Sequence, residues 1–325
     1  MTSFAHPYTR IVGTGHYLPK NVMTNEDVEK VCDTTSQWII ERTGIEQRHF
    51  CEEGESTADM AEAAARNAME SAGVEAGDID LIIVGTSSAD YGSPSVASML
   101  QHRLGCNTIC AFDVSAACTG FIYSLGVADS MIKAGTATTA LVIGAERISQ
   151  YLDWEERNTA VIFGDGAGAA VVKGSDEPGI LSTHLHADGS KKDSLFLNNG
   201  KPVYEPAERA NKVTMDGQDV FKNAVKRFSE VIDQCLTANN VAKEDIDWLV
   251  PHQANIRIIQ AVQKKLAMKD DQVVVTVNKT ANNSAATVPI ALDIASRDGR
   301  VKPGQLVISA AFGAGLTWGA LLLRF

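Results

Sequence analysis

An internal repeat limits the folds that this chain can adopt. Asp80 and Asp247 each close an acid-Ile-acid motif that leads into a short apolar run, and the two motifs stand at an offset of 167 (247 − 80). Further along, the segment 140–145 matches 305–310 at an offset of 165 (305 − 140). Continuous apolar runs rich in β-branched residues suit strands that are buried on both faces in βαβ units. The sequence therefore predicts a duplicated α/β core with helices between and outside two sheets; the alternative is chance recurrence of common α/β patterns.

Turn-forming residues separate the two copies. The stretch 172–211 is charged and irregular, and it contains Gly174-Ser-Asp-Glu-Pro178 and Asn198-Asn-Gly-Lys-Pro202. A chain of 325 residues also has the length of two domains of roughly 150 residues each. We predict an N-terminal half over 1–172 and a C-terminal half over 173–325. The functional site should lie between them, beyond the carboxyl ends of the strands.

Charge and cysteine content argue against several classes of protein. A formal net charge of −11 disfavours general binding to nucleic acids or to membrane surfaces. No apolar run reaches the roughly 18 residues of a membrane-spanning helix, and 1–20 does not resemble a secretory signal. Six scattered cysteines without a Cys-x-x-Cys pair fit a reduced, cytoplasmic protein. A metal clip at Cys106 and Cys110 is the alternative for that pair, but no clustered Cys or His accompanies it.

Cys118 has the surroundings of a nucleophile. An apolar strand ends shortly before it, small residues flank it, and the amphipathic run 121–133 follows, so the thiol lies at the start of a helix. A helix N-terminus carries about half a positive charge and free amide donors, which leads us to expect a lowered thiol pKa. A buried structural cysteine is the alternative.

The repeat connects Cys118 with Asn282. The spacing from Cys118 to Gly135 is the same as the spacing from Asn282 to Gly299 (135 − 118 and 299 − 282), which predicts equivalent positions in the two halves. Packing about a pseudo-twofold axis would then aim two helix N-termini at one site. An amide there suits hydrogen-bond donation to an oxyanion. An ordinary helix cap, by Asn282 or Asn283, is the alternative.

His252 is the histidine best placed for catalysis. It ends the predicted strand 248–252, and catalytic groups project from strand ends of this kind. A second predicted strand, 273–277, leads towards Asn282 in the same way. The alternative for His252 is a hydrogen-bonded core or cap residue.

Four motifs in order along the chain carry a family resemblance. They are Asp113-Val-Ser-Ala-Ala-Cys-Thr-Gly-Phe121, Val161-Ile-Phe-Gly-Asp-Gly-Ala-Gly-Ala169, Trp248-Leu-Val-Pro-His-Gln-Ala-Asn255 and Ala311-Phe-Gly-Ala-Gly-Leu-Thr-Trp-Gly319. Together with 11–19 and 38–44 they resemble β-ketoacyl-acyl-carrier-protein synthase III over the whole chain. The resemblance implies the α/β fold of this family, a thiolase-like duplicated five-layer αβαβα architecture.

The resemblance also implies a reaction, a decarboxylative Claisen condensation without cofactor or metal. Cys118 would take the acyl group of an acyl-CoA, which is a substrate, and pass it to the carbanion of decarboxylated malonyl-acyl carrier protein. His252 and Asn282 would donate hydrogen bonds to the malonyl thioester oxygen. The backbone amides of Cys118 and Ala314 would form the oxyanion hole, and the product would be a β-ketoacyl-carrier protein.

Binding residues follow from the resemblance as well, in a chain expected to form a homodimer. By this resemblance, Trp38 and Arg157 would sandwich the CoA adenine, and Arg42 would bind the CoA phosphates. Asn255 would be a further CoA contact. The implied acyl-channel residues are Ser93, Phe163 and Leu195. The acidic carrier protein would meet a basic patch, made of Lys222, Arg257, Lys264 and Lys265 with Lys226 and Arg227 nearby. Arg257, Lys264 and Lys265 can share one helix face, although such a run is also typical of solvated surface.

Two departures from the family pattern bear on specificity. The family usually has Gly-Asn-Thr where this chain has Ala281-Asn282-Asn283, so either asparagine can be the catalytic amide, and the spacing to Gly299 favours Asn282. Short-chain relatives often have a bulky aromatic residue where Ser93 precedes Pro94. We therefore hypothesise a longer acyl channel and primers longer than acetyl, unless Tyr91 refills the space.

Other functions of the same fold stay open at this point. A related thiolase-fold synthase of the alkylquinolone or head-to-head ketone type would use the same triad, and a silent acyl-binding scaffold would use none. A cysteine hydrolase is disfavoured because His252 has no evident acidic partner in the sequence.

Overall fold

The computed structural model describes residues 5–198 and 211–325, and these residues form thirteen strands and ten α-helices. The strands are β1 (Tyr8–Tyr17), β2 (Asn21–Thr24), β3 (Gln47–Phe50), β4 (Leu81–Gly85), β5 (Cys110–Val114), β6 (Thr139–Glu146), β7 (Gly166–Ser175), β8 (Ile180–Ala187), β9 (Leu195–Asn198), β10 (Lys212–Met215), β11 (Trp248–Pro251), β12 (Leu306–Gly313) and β13 (Thr317–Arg324). The helices are α1 (Asn25–Val28), α2 (Ser36–Thr43), α3 (Thr57–Ala72), α4 (Val96–Leu104), α5 (Gly120–Lys133), α6 (Arg157–Ala160), α7 (Gly217–Asn239), α8 (Ile256–Leu266), α9 (Val277–Thr280) and α10 (Thr287–Arg297).

Two mixed sheets form the centre of the fold. The first has the strand order β1-β7-β6-β4-β5, and the second has the order β11-β12-β13-β8. Strand β4 pairs in parallel with β5 and β6, as β11 does with β12, whereas the remaining pairs are antiparallel. The predicted boundary after Val172 falls inside β7, and the chain passes from the first sheet to the second between Ser175 and Ile180. Of the predicted turn 198–202, residues 199–202 lie outside the described residues.

Helices occupy three layers around these sheets. The apolar sides of α5 and α10 pack between the two sheets and share one core with both. Helices α3 and α4 cover the outer face of the first sheet, and α7 and α8 cover the outer face of the second. The predicted five-layer αβαβα architecture is therefore confirmed. No helix within the described residues is long and apolar enough to cross a membrane.

Small residues let α3 lie close to the first sheet. Ser56 caps the helix in a capping box with Asp59, and Gly73 ends it in the left-handed conformation (φ 61°). The alanine-rich face then packs on β1, where a Cβ built on Gly15 would lie 2.3 Å from the backbone nitrogen of Ala68. The close approach requires glycine in the strand and alanine on the helix.

A single offset of 167 relates the strand pairs of the two sheets. Leu81 pairs with Ala140 in the first sheet, and Trp248 pairs with Val307 in the second (248 − 81 and 307 − 140). The offset of 165 expected for the segments 140–145 and 305–310 is therefore wrong by two positions. The predicted strand 273–277 is reduced to a bridge between Val273 and β11, because α9 begins at residue 277.

The same offset changes which residue corresponds to Cys118. Ala117 and Ser284 have matching left-handed backbones (φ 47° and 49°) and stand at the offset of 167 (284 − 117), so Cys118 corresponds to Ala285 (285 − 118). The predicted equivalence of Cys118 and Asn282 is wrong. The prediction aligned the two halves on Gly135 and Gly299, the glycines that follow α5 and α10. Because α5 has 14 residues and α10 has 11, that alignment misplaces the residues before the two helices by three positions.

Candidate active site

One cavity brings together residues from distant parts of the chain. Its volume is about 740 Å³, and Cys118, His252 and Asn282 line it together with Trp38 and Arg42 of α2. Cys118 and Asn282 lie in the segments that precede the central helices α5 and α10, and His252 follows the end of β11.

Cys118 lies in a tight turn between β5 and α5. The turn is a 3-10 segment over 117–119 in which Ala117 adopts the left-handed backbone. Gly313, at the end of β12, packs directly on it, since a Cβ at Gly313 would lie 2.7 Å from the Cys118 backbone nitrogen. The absence of a side chain at Gly313 thus allows the second half to approach the thiol.

The electrostatic setting of the Cys118 thiol differs from the expectation. Burial raises the pKa of Cys118 to about 12, and the nearby Glu146 carboxylate adds to this rise. The Ser284 hydroxyl opposes this rise in the pKa. The lowered pKa predicted from the helix start alone is therefore wrong, because desolvation of the thiolate outweighs local amide donors. Attack by the sulfur requires a group that accepts its proton.

His252 follows the last residue of β11 and is neutral in the cavity wall. Its backbone N–H donates to Ala310 O at 2.8 Å, and its Nδ1 lies 2.6 Å from the Thr287 hydroxyl. Burial lowers the pKa of the imidazole to about 3. The Thr287 hydroxyl also lies 3.1 Å from the Ser284 carbonyl, to which it can donate instead. When Thr287 donates to Nδ1, the ring proton sits on Nε2, which then can donate to a ligand in the cavity.

The two neighbouring asparagines differ in orientation. The Asn282 side-chain oxygen accepts from the Ser284 backbone N–H at 2.8 Å, and Asn282 lines the cavity. Among the described residues, no hydrogen-bond acceptor contacts its Nδ2. Asn283 instead donates from Nδ2 to the Asp165 carbonyl at 2.8 Å and is fully buried. The geometry therefore favours Asn282 as the amide available to a substrate.

A small apolar cluster adjoins the cavity. Its buried members are Ile148, Phe163, Leu195 and Val213, of which Phe163 and Leu195 also line the cavity. Ile148 and Val213 were missed from the sequence, since they come from separate segments that carry no motif. Ser93 is exposed and does not line the cavity of this chain.

Trp38, Arg42 and Asn255 also line the cavity. The Arg157 guanidinium lies over the Trp38 ring at 4.9 Å, and that of Arg42 lies at 5.9 Å. Because Arg157 stacks directly on Trp38, an adenine between the two requires Arg157 to move. The Asn255 side chain caps α8 by accepting from the Ile258 N–H at 3.0 Å.

The basic residues of the predicted carrier-protein patch fall into two groups. Within the ranges that the structure describes, Lys222, Arg257, Lys264 and Lys265 are exposed and have no ion-pair partner. Arg257 also lines the cavity mouth and lies over the Phe221 ring at 5.6 Å. Lys226 and Arg227 both pair with Glu230, at 3.9 and 3.0 Å, so they do not belong to the unpaired set.

Glu146 is a buried carboxylate beside the site that the sequence analysis missed. It ends β6, is fully buried, and accepts hydrogen bonds from the Ser88 and Ser284 hydroxyls at 2.5 and 3.0 Å. Burial raises the pKa of Glu146 to about 7. Within 5–198 and 211–325 no group of three His, Cys, Asp or Glu is placed to hold a metal ion.

Comparisons with known proteins show which family this chain resembles. Residues 112–189 match the family model of 3-oxoacyl-[acyl-carrier-protein (ACP)] synthase III, and residues 236–325 match the model of its C-terminal part. The β-ketoacyl-[acyl-carrier-protein] synthase III of Thioalkalivibrio sulfidiphilus is 53% identical over 98% of this chain and 99% of its own length. That of Xanthomonas euvesicatoria is 52% identical over 98% of both chains. The crystal structure of the 3-oxoacyl-[acyl-carrier-protein] synthase III from Aquifex aeolicus, 45% identical, superposes with a TM-score of 0.93 over 98% of this chain and 100% of that one.

Proposed function

The chain belongs to the β-ketoacyl-[acyl-carrier-protein] synthase III family, and from this premise we propose that Cys118 carries the acyl group while His252 and Asn282 serve the condensation. The protein is an acyltransferase that condenses an acyl-CoA primer with malonyl-acyl carrier protein. The observation that carries the assignment of roles is the shared cavity, where a thiol, a neutral imidazole and an unpaired amide meet.

The first half of the reaction is transfer of the acyl group to Cys118. The sulfur attacks the thioester carbonyl of the acyl-CoA, and the tetrahedral oxyanion collapses with loss of the CoA thiolate. The Cys118 backbone N–H, at the start of α5, and the N–H of Ala314, just past β12, are the oxyanion donors in this proposal. Trp38 and Arg42 at the cavity mouth would bind the nucleotide end of CoA.

The second half uses His252 and Asn282. Loss of CO₂ from the malonyl thioester leaves an enolate, whose oxygen accepts hydrogen bonds from His252 Nε2 and Asn282 Nδ2. Because burial keeps the imidazole neutral, His252 stabilises the enolate as a donor without transferring a full charge. The enolate carbon attacks the Cys118 thioester, and the sulfur leaves as the β-ketoacyl product forms.

A homodimer would complete the acyl channel. Strand β5 forms one edge of the first sheet, and Cys110, at its start, is exposed. The start of α4 is hydrogen-bonded to Asp113 of β5, and in the loop before α4 the side chain of Tyr91 is 59% exposed, which is unusual for a large aromatic residue. Both features support pairing of a second copy at this edge. Pairing would bring the Ser93 loop of one copy against the apolar cluster of Phe163 and Leu195 in the other.

The first prediction concerns primer length. We expect turnover with octanoyl-CoA to exceed turnover with acetyl-CoA by about tenfold, because an apolar cluster that includes Phe163 and Leu195 adjoins the cavity and Ser93 is small. Initial rates of β-ketoacyl-carrier-protein formation with both primers measure this. The matched variant Ser93→Phe should reverse the preference. A strong acetyl preference in the wild type would contradict a long channel.

The second prediction concerns the carrier protein. The double variant Lys264→Glu, Lys265→Glu should raise the KM for malonyl-acyl carrier protein about tenfold, because two unpaired cations on α8 become repulsive towards an acidic partner. Acylation of Cys118 by acyl-CoA should be unchanged. The control is Lys20→Glu, Lys302→Glu, which alters the net charge equally at exposed sites off α8. Equal KM values in the two double variants would exclude the patch on α8.

A further inference from the structure

Glu146 is a wholly buried carboxylate that is hydrogen-bonded to Ser284, on the turn that packs against the Cys118 turn. Its Oε1 accepts from the Ser284 hydroxyl at 3.0 Å, and its Oε2 accepts from Ser88. Burial raises the pKa of both Cys118 and Tyr151, and the Glu146 charge adds to the rise in each. The mechanism described so far uses none of these contacts.

The repeat explains how the carboxylate reaches this position. Glu146 corresponds to Gly313 at the offset of 167 (313 − 146), and both end the second parallel strand of their sheets. Gly313 has no side chain and packs on the Cys118 turn. In the first half, the Glu146 side chain instead fills the equivalent space, where it accepts from the Ser284 hydroxyl and from the backbone N–H of Ser87 at 3.1 Å.

Ser284 links the two turns. Its left-handed backbone (φ 49°), which L residues seldom adopt, is the counterpart of Ala117 beside Cys118. In this conformation the hydroxyl donates to Glu146 at 3.0 Å, while the Ser284 turn packs against the Cys118 turn. The Ser284 hydroxyl thus lies between the Glu146 carboxylate, to which it is hydrogen-bonded, and the turn that carries the Cys118 thiol.

We propose that Glu146 holds the proton of Cys118 during the life of the acyl-enzyme, with Ser284 as the relay. The proposal rests on the proposed function, in which Cys118 carries the acyl group. Burial raises the pKa of Glu146 to about 7, so its carboxylate can accept the Cys118 proton near neutral pH. Protonation also removes the free-energy cost of keeping the carboxylate charge buried.

The proton and charge balance of this path is complete. As the Cys118 sulfur attacks the acyl-CoA, its proton passes to Ser284 Oγ, and the Ser284 hydroxyl proton passes to Glu146 Oε1. The CoA thiolate leaves and is protonated by solvent. Malonyl decarboxylation then supplies the enolate electrons that displace the Cys118 thiolate, and the proton returns from Glu146 through Ser284 to the sulfur.

The relay is tested by single-turnover acylation with octanoyl-CoA, followed by rapid quenching and intact-mass detection of the adduct on Cys118. Glu146→Gln and Ser284→Gly should each slow acylation about 100-fold. Glycine adopts the φ of Ser284 without strain, so this variant removes the hydroxyl without disturbing the turn. Asp293→Asn, which removes a buried carboxylate from α10 that contacts Thr14 and His16, should acylate as fast as wild type.

A second measurement detects the transferred proton itself. The infrared difference spectrum of acyl-enzyme minus free enzyme should gain the carbonyl stretch of a protonated carboxylic acid, and Glu146→Gln should lack it. Wild-type acylation rates in both Glu146→Gln and Ser284→Gly, or an unchanged carboxylic-acid region on acylation of the wild type, would overturn the relay. If wild-type Cys118 takes up no acyl group at all, the proposed function itself is overturned, and the relay with it.

Discussion

Replacement of Cys118 by alanine will abolish the acyl adduct and lower turnover by at least about 10⁴-fold, because a catalytic nucleophile has no substitute in the cavity. The turn should survive the change, since alanine fits the buried position and the left-handed residue before it is itself alanine. Intact-mass spectrometry of the variant mixed with an acyl-CoA, together with the rate of β-ketoacyl product formation, measures both effects.

The matched control for this variant is Cys110→Ala. Cys110 is the exposed cysteine among the six, so it is the thiol most open to non-enzymatic acylation. We expect Cys110→Ala to form the adduct and product at wild-type rates. An adduct that persists in Cys118→Ala and disappears in Cys110→Ala would show that Cys110 carries the acyl group, and it would contradict the role proposed for Cys118.

Asn282→Ala is expected to separate the two halves of the reaction. Acylation of Cys118 should continue, whereas condensation with malonyl-acyl carrier protein should fall by about 10² to 10³-fold, the usual cost of one donor to a developing oxyanion. His252→Ala should act in the same direction, because the imidazole supplies the second donor. Single-turnover acylation and steady-state condensation are measured on the same preparations.

Asn283→Ala decides between the neighbouring amides. Asn283 donates to the Asp165 carbonyl inside the protein, so its loss should lower the free energy of unfolding by about 1 kcal/mol and leave condensation by the folded enzyme nearly unchanged. Thermal unfolding and condensation rates compare the two variants. A large loss of condensation in Asn283→Ala with a small one in Asn282→Ala would transfer the role to Asn283.

Much of the fold was predictable because a duplicated sequence must form duplicated elements. The acid-Ile-acid motifs at Asp80 and Asp247 stand at the same offset as the strand pairs of the two sheets. The finer count failed at α5 and α10, whose unequal lengths cannot be read from the glycines that follow them. In the structure, the residue of the second half that is equivalent to Cys118 is Ala285, not Asn282.

The electrostatics of the site were less predictable, because they depend on burial by distant segments. The sequence around Cys118 suggested a lowered thiol pKa. In the structure the second half of the chain helps to bury the thiol, and this burial raises its pKa. Glu146 carried one local signal, a charged residue at the end of the otherwise apolar strand β6. Its partner Ser284 is far away in the chain, so only the fold brings the two together.

The most direct test of the account is a pulse and chase on the wild-type enzyme. Octanoyl-CoA is added first, the acyl adduct is located by mass spectrometry of peptides, and malonyl-acyl carrier protein is then added. We predict an adduct on Cys118 that disappears as an equal amount of β-ketoacyl-carrier protein and CO₂ forms. An adduct on another residue, or one on Cys118 that malonyl-acyl carrier protein does not discharge, would contradict it.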